Sequence, residues 1–296
     1  MDILPQLLVN ALITGSIYAL CAAGLAISYG LLRILNFAHG HLMMTGAYFF
    51  FLWYVQLDLG LFYSALLTAL CLAVVGGLTL YIFVLPFSRY SSLLPFVTTL
   101  ALATILESVI SMTFGVNVRS LTAGTLIESD EIYGVFITPI QQLIIFSAIG
   151  ILFILGLIVH CTAVGRRIRA LAQFTPGAVS IGISSWKTKF WVFVVAVLVA
   201  GYAGILVGFE TNLQPTMGNA YTIKSFAAMV LGGLGNLWGT VAGSYILGLI
   251  ENLSLGLEFG GYSLPAGYKD AFAYVVILLV LLFKPSGLFV RSGRRI

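Results

Sequence analysis

The chain has 296 residues, 60% of them hydrophobic and only 8% charged, against roughly 25% charged in a soluble domain. That composition excludes a water-soluble globular protein, and a formal net charge of +4 gives no sign of a nucleic-acid partner. Membrane-spanning strands need alternating segments of about ten residues, whereas the apolar runs here are long and unalternating, so the spans are expected to be helices.

Taken in order, Leu7 to Leu32 predicts the first span. The preceding residues lack a basic region, and the apolar run is too long for the core of a cleaved signal, so this span is expected to be retained. Gly15, Ser16, Ala19, Ala22, Ala23, Gly24 and Ala26 supply the small side chains that let helices approach closely in lipid, which predicts a helix interior to the bundle. Arg33 ends it. Asn36-Phe37-Ala38-His39-Gly40 then precedes a shorter apolar run, Leu42 to Val55. Leu61 to Leu85 is the third span, Pro86 to Arg89 a turn, and Leu93 to Phe114 the fourth span, with Glu107 at membrane depth. Cys21, Cys71 and Cys161 stand alone, without metal-ligand or redox spacing, and read as small membrane residues.

Two long stretches are polar. Val116 to Thr138 carries Glu128, Asp130 and Glu131 against the single Arg119, and Pro139 to Val159 leads from it to the second, His160 to Lys189. There Val164, Ile168, Leu171 and Ala172 share one face of a helical projection, with Arg166, Arg169 and Gln173 opposite. A short amphipathic helix is predicted, broken at Pro176-Gly177. Phe190 to Phe209 is the next span, and Glu210 to Thr222 a short loop.

An irregular part follows. Ile223 to Leu231 is apolar, Gly232-Gly233-Leu234-Gly235-Asn236 breaks it, and Thr240 to Leu257 is apolar again. At about 1.5 Å per residue the first piece falls short of the roughly 30 Å of hydrocarbon, so it either re-enters or spans as part of a broken helix. Ala271 to Phe283 is the last span.

Charge tests this threading. With residues 160–189 in the cytoplasm, the inner face holds Arg33, Arg89, Arg166, Arg167, Arg169, Lys187, Lys189, Lys284, Arg291, Arg294 and Arg295, and the outer face only Arg119, Lys224 and Lys269. Basic residues in short loops set orientation, so the amino terminus is expected outside and the carboxy terminus inside. The fold expected is an all-α, polytopic membrane helix bundle of about eight to nine hydrophobic segments, some short or broken.

No phosphate-binding GxxxxGK[ST] motif is present, so the chain does not hydrolyse ATP alone. His39, His41 and His160 form no ligand set, and neither a metal, a cofactor nor covalent chemistry is expected. The informative features are the two breaks. Gly40-His41-Leu42 with Gly46-Ala47-Tyr48, and Gly235-Asn236-Leu237 with Gly243-Ser244-Tyr245, read as a weak internal repeat. Paired, glycine-interrupted short spans point to a transport path, here Asn36, His39, Gly40, Gly232, Gly233, Gly235 and Asn236; close helix packing would explain the glycines as well. Glu107 joins the path as an intramembrane acid. Glu251 is the other carboxylate inside a span, a weaker candidate that a place near the interface or a hydrogen bond to a neighbouring helix would also explain, and Lys224 is expected to snorkel to the outer surface.

At these residues the chain resembles the permease subunits of bacterial branched-chain amino acid ABC importers. The resemblance lies in Leu35 to Gly40, in GRRIRALAQ at Gly165 to Gln173 with Gly182-Ile183, in KSFAAMVLGGLGNLWG at Lys224 to Gly239, and in YKDAFAYVVILLVLLFKPSGLF at Tyr268 to Phe289. The chain departs from the family at Phe174, where an acid or amide is usual, and at His41, where a small acidic or polar residue is common; Gly235 to Gly239 also looks like the related urea permeases. The resemblance implies a single transmembrane permease domain over residues 1–296, an inner-membrane location, a second related permease, two cytoplasmic ATPase subunits and a periplasmic binding protein. It implies that residues 116–138 are periplasmic and that 160–189 form the coupling loop. Gly165, Arg166, Arg169, Ala170, Gln173 and Gly182 would then meet the ATPase, where a surface helix on anionic lipid is the competing role. A urea or short-chain amide importer, and an ATP-independent channel or carrier, are the alternative functions.

Overall fold

The helix richest in small residues is the one the others pack around. In the computed structural model, which describes residues 4–91, 93–122, 129–132, 134–256, 258–259, 262–263 and 268–289, α1 (Leu4–Leu32) buries Gly15, Ser16, Ala19, Ala22, Ala23, Gly24 and Ala26. The apolar core of α1 is 83% buried and that of α8 (Ser185–Glu210) 72%, whereas α4 (Leu94–Phe114) and α5 (Pro139–Cys161) are each 28% buried and the span opening with α3 (Leu61–Leu78) 33%. The first two are therefore the inner pair. The outer three present Phe62, Met112 and Phe146 to the surroundings, an apolar exterior suited to lipid and not to water.

Close approach is made by glycine. α10 (Leu237–Ser254) lies on α1 so tightly that a Cβ on Gly248 would fall 2.8 Å from the Gly15 nitrogen. α2 (His39–Phe51) meets α8 in the same way, with a Cβ on Gly46 2.8 Å from the Gly201 Cα. In lipid such contacts gain dispersion energy without a hydrophobic driving force, which is why small residues mark them.

Five helices are long and apolar enough to cross a membrane, six if α9 (Met217–Gly232) and α10 count as one bent span, among the described residues. Shorter apolar segments are α2, which continues as a π-helical turn over Leu52–Gln56, and α11 (Lys269–Phe283). Among the described residues the helical expectation holds with two small exceptions in the connections. β1 (Asp130–Ile132) pairs with β2 (Val135–Ile137), and β3 (Glu258–Phe259) with β4 (Tyr262–Ser263), both antiparallel. The π-helical stretch Thr79–Val84 and a 3-10 turn extend the α3 span to Arg89, past the Leu85 expected from sequence.

The two ends of the bundle differ in charge. At one, Gln6 of α1 binds the Phe136 backbone through both amide atoms, Gln141 donates to Glu210, and Arg119 bridges Leu213. At the other lie Arg33, Arg89, α6 (Ala163–Gln173), α7 (Thr175–Ser180), Lys187, Lys189 and Lys284. Arg291, Arg294, Arg295 and Glu128, which entered the charge argument, fall outside the described residues.

The irregular part is a helical hairpin. α9 and α10 meet at 117° across Gly233 to Asn236, with Gly233 at φ 112° and Gly235 at φ 78°, values that only glycine adopts at little cost. Gly232 and Gly239 face one another so closely that neither has room for a Cβ. α9 begins at Met217, six residues before the Ile223 expected from hydropathy, because Thr222 and Asn219 are absorbed into the helix instead of ending it. The hydroxyl of Thr222 donates to the Gly218 carbonyl (2.7 Å), and Asn219 donates to Glu107.

Candidate functional site

The first break is set by short-range hydrogen bonds. Arg33 leaves α1 at φ 56°, the Asn36 side-chain oxygen accepts from the Ala38 nitrogen (3.1 Å), and the Asn36 carbonyl accepts from the His39 nitrogen (3.3 Å). His39 is buried and its Nε2 lies 2.9 Å from the Cys21 carbonyl, so α2 begins beside the middle of α1 and not at its end. The Gly40 nitrogen donates to Thr222 Oγ1 (3.1 Å), and a Cβ there would collide with the backbone of Gly218 and Thr222. Asn36 is buried with its Nδ2 unbonded among the described residues. Beside this break Glu107 holds a cluster, with His41 Nε2 at 3.3 Å and Asn219 Nδ2 donating at 3.1 Å.

The second break lies elsewhere. Gly235 sits against Gly30 of α1, about 14 Å along the helix from Cys21 at roughly 1.5 Å per residue. Gly235 and Asn236 line a cavity of about 160 Å³ with His160, Arg169 and Ala172, at the basic end. Gly232 and Gly233 form the tight turn beside it. The structure thus does not bring the two breaks together: one reaches mid-depth and the other stays at the basic end.

The amphipathic helix is present as α6, with Gly165, Ile168 and Leu171 buried. Val164 lies on the same side as Ile168, both lining one cavity, but is 50% exposed. Gly165 takes its place because it lies against the carbonyls of Ile158 and Val159, where no side chain fits. Thr162 caps α6 by accepting from the Gly165 nitrogen (3.2 Å), and its hydroxyl donates to the Ile158 carbonyl (2.6 Å). Arg169 turns back to donate to the carbonyls of Val159 and His160, while Arg166, Arg167 and Gln173 are exposed and Ala170 is half-buried. The break comes at Phe174, two residues before Pro176; Pro176 and Gly177 lie inside α7, where a proline in the first turn sacrifices no hydrogen bond. Gly182, at φ 88°, turns the chain toward α8.

The constellation that sequence reasoning missed is Tyr18, Lys224 and Glu251. Lys224 is 8% exposed and Glu251 fully buried. Lys224 Nζ donates to Tyr18 Oη (2.7 Å) and lies 3.3 Å from Glu251, and Tyr18 Oη donates to Glu251 Oε2 (2.7 Å). Lys224 is therefore no snorkelling anchor, whereas Glu251 is the intramembrane acid that its place in an apolar run predicts. With α9 starting at Met217, Lys224 lies two turns inside it, level with the middle of α1. A cavity of about 410 Å³ leads to it, lined by Asn10, Ile13, Thr14, Ile17, Gln141, Glu210, Tyr221 and Asn252 among others. Two opposite charges isolated in apolar runs were the available signal. Among the described residues no group of three or more His, Cys, Asp and Glu side chains could hold a metal ion.

Residues 7–281 match the family described as "Branched-chain amino acid transport system / permease component". The chain is 30% identical to the high-affinity branched-chain amino acid transport system permease protein LivH of Escherichia coli K12, over 97% of this chain and 95% of that one. It is 29% identical to the corresponding protein BraD of Pseudomonas aeruginosa, with the same coverage. A solved structure, PsaBC from Streptococcus pneumoniae in complex with a Fab, aligns with a TM-score of 0.52 at 14% identity, over 97% of this chain and 93% of that one, a likeness of fold alone. A match of this extent, on a helical bundle with an apolar exterior, means that the chain belongs to the family of permease components of branched-chain amino acid transport systems.

Proposed function

We propose that the chain is one membrane subunit of an ATP-driven importer that carries branched-chain or other hydrophobic amino acids across the inner membrane. Residues 1–296 serve as a single permease domain of eight to nine membrane segments, with the amino terminus outside and the basic end in the cytoplasm, where positive loops are retained. A second related permease completes the path, a binding protein delivers cargo to the outer face, and two ATPase subunits dock on the basic end. The first break, with Asn36, His39, Gly40 and Glu107, lies along the path. Gly232, Gly233, Gly235 and Asn236 form a hinge next to the docking surface.

The observation that carries this reading is the form of α6. Its apolar face is fastened to α5, α1 and α8, while Arg166, Arg167 and Gln173 stand free. A helix so placed links the end of one span to the start of another through α7 and Gly182, and a partner that moves it moves both. Arg166→Glu should abolish ATP-driven leucine uptake and loosen the ATPase subunits from the purified assembly, with the chain still folded in the membrane. Unchanged uptake with ATPase still bound would return α6 to a lipid-facing role.

A further inference from the structure

We infer that Lys224, with Tyr18 and Glu251 behind it, is an intramembrane subsite for the charged head of a zwitterionic α-amino acid. This rests on the amino-acid importer reading and deepens it.

The cavity of about 410 Å³ lies within the roughly 300–1,000 Å³ of small-molecule sites. Its walls change character along its length. Gln141, Glu210 and Thr211 lie at the end away from the basic loops, Ile13, Ile17 and Tyr221 offer apolar surface, and Lys224 is the cation that faces into it. Glu251 is fully buried and does not line the cavity. Stability alone does not account for the pair, since apolar residues of similar volume often serve as well as a buried ion pair. Ionisable residues at membrane depth are functional candidates by default.

The chemistry selects a ligand. A zwitterion carries one carboxylate and one ammonium, matching one ammonium and one carboxylate in the protein. The ligand carboxylate meets Lys224 Nζ, and the ligand ammonium takes up the field of Glu251 and the Tyr18 hydroxyl that Lys224 otherwise satisfies. Charge in the low-dielectric interior is balanced before and after, so cargo enters without an uncompensated charge. Ile13 and Ile17 then meet an aliphatic side chain. A neutral amide such as urea gains nothing from the pair, and a lone anion or cation leaves a net charge behind.

The test uses the complete transporter in proteoliposomes with its binding protein. The double variant Lys224→Met with Glu251→Gln removes both charges at similar volume and leaves an acceptor for the Tyr18 hydroxyl. It should assemble near the wild-type level yet import leucine at least tenfold more slowly at saturation. In a second arm, Thr14→Cys in an otherwise cysteine-free chain with the ion pair intact should react with a water-soluble thiol reagent, and leucine but not urea should slow the reaction several-fold. Wild-type leucine import by the neutral pair, or labelling indifferent to leucine, would overturn the subsite. Should the double variant fail to assemble, the labelling arm decides. A wild-type transporter that imports no leucine would instead sink the amino-acid reading itself.

Discussion

Gly40→Ala tests how the first break is held. The added Cβ would lie 2.6 Å from the Thr222 nitrogen and also run into the Gly218 carbonyl, and backbone atoms do not rotate aside. The contact is reciprocal, because a Cβ on Gly218 would lie 3.0 Å from the His41 Cα. α2 and α9 must therefore separate. Overpacking of this kind costs about 1–3 kcal/mol. Separation also breaks the buried bond from the Gly40 nitrogen to Thr222 Oγ1, leaving a donor unsatisfied at about 1–3 kcal/mol. Against these stands the helix preference of alanine, up to about 1 kcal/mol. The net expectation is a loss of about 1–5 kcal/mol, read as a lower midpoint of unfolding for the purified chain in detergent. Gly150 is the control: it lies in α5 with nothing within 4 Å of its Cβ position, so Gly150→Ala should be neutral or stabilise by up to about 1 kcal/mol. If Gly40→Ala unfolds at or above the wild-type midpoint, the tight backbone contact is not what holds the break.

Two further outcomes follow from the geometry. Glu107→Ala strips His41 Nε2 of its carboxylate and Asn219 of its acceptor, and should cost about 1–3 kcal/mol of unfolding free energy, whereas Glu107→Gln should recover most of it; equal midpoints for the two variants would remove this cluster from the account. Single cysteines at Ser129 and Ser180, both exposed, should react with an impermeant reagent from opposite sides of intact cells, and equal labelling of both would overturn the orientation.

The sequence made the centre of the bundle legible because small residues have one main use in lipid. Gly15, Ala19 and Ala22 therefore pointed to the interior position that α1 occupies. Ile168 and Leu171 were readable for a related reason, since α6 is amphipathic enough that period alone finds its inner face. Period did not find the innermost position beside α5, because a periodic pattern counts side chains and that position belongs to Gly165, which has none. The start of α9 was hidden by Gly218, Asn219 and Thr222, residues typical of loops; here Thr222 bonds back to the Gly218 carbonyl inside the bundle and Asn219 reaches Glu107 at its surface. The pairing of Lys224 with Glu251 was beyond a linear reading: it needs the hairpin that folds α10 back past α9, and hydropathy records only that each charge interrupts an apolar run. The path and docking roles proposed above would rest on side chains whose partners lie on other subunits, which one chain does not carry.

The joint between α5 and α6 has a mechanical meaning. Three carbonyls in the last turn of α5, those of Ile158, Val159 and His160, accept from Thr162 and from Arg169 reaching back from the second turn of α6. These bonds tie the start of α6 to the end of α5. α6 is about 16 Å long at roughly 1.5 Å per residue, so a load applied near Gln173 acts on a lever of that length. On the docking proposal, torque would pass to α5, and through the packing of Ile168 and Leu171 with Leu31 to the end of α1, as tilt of whole helices. Softening that lever, as by Arg169→Ala, would then change how far the spans turn for a given push while leaving the exposed Arg166, Arg167 and Gln173 in place.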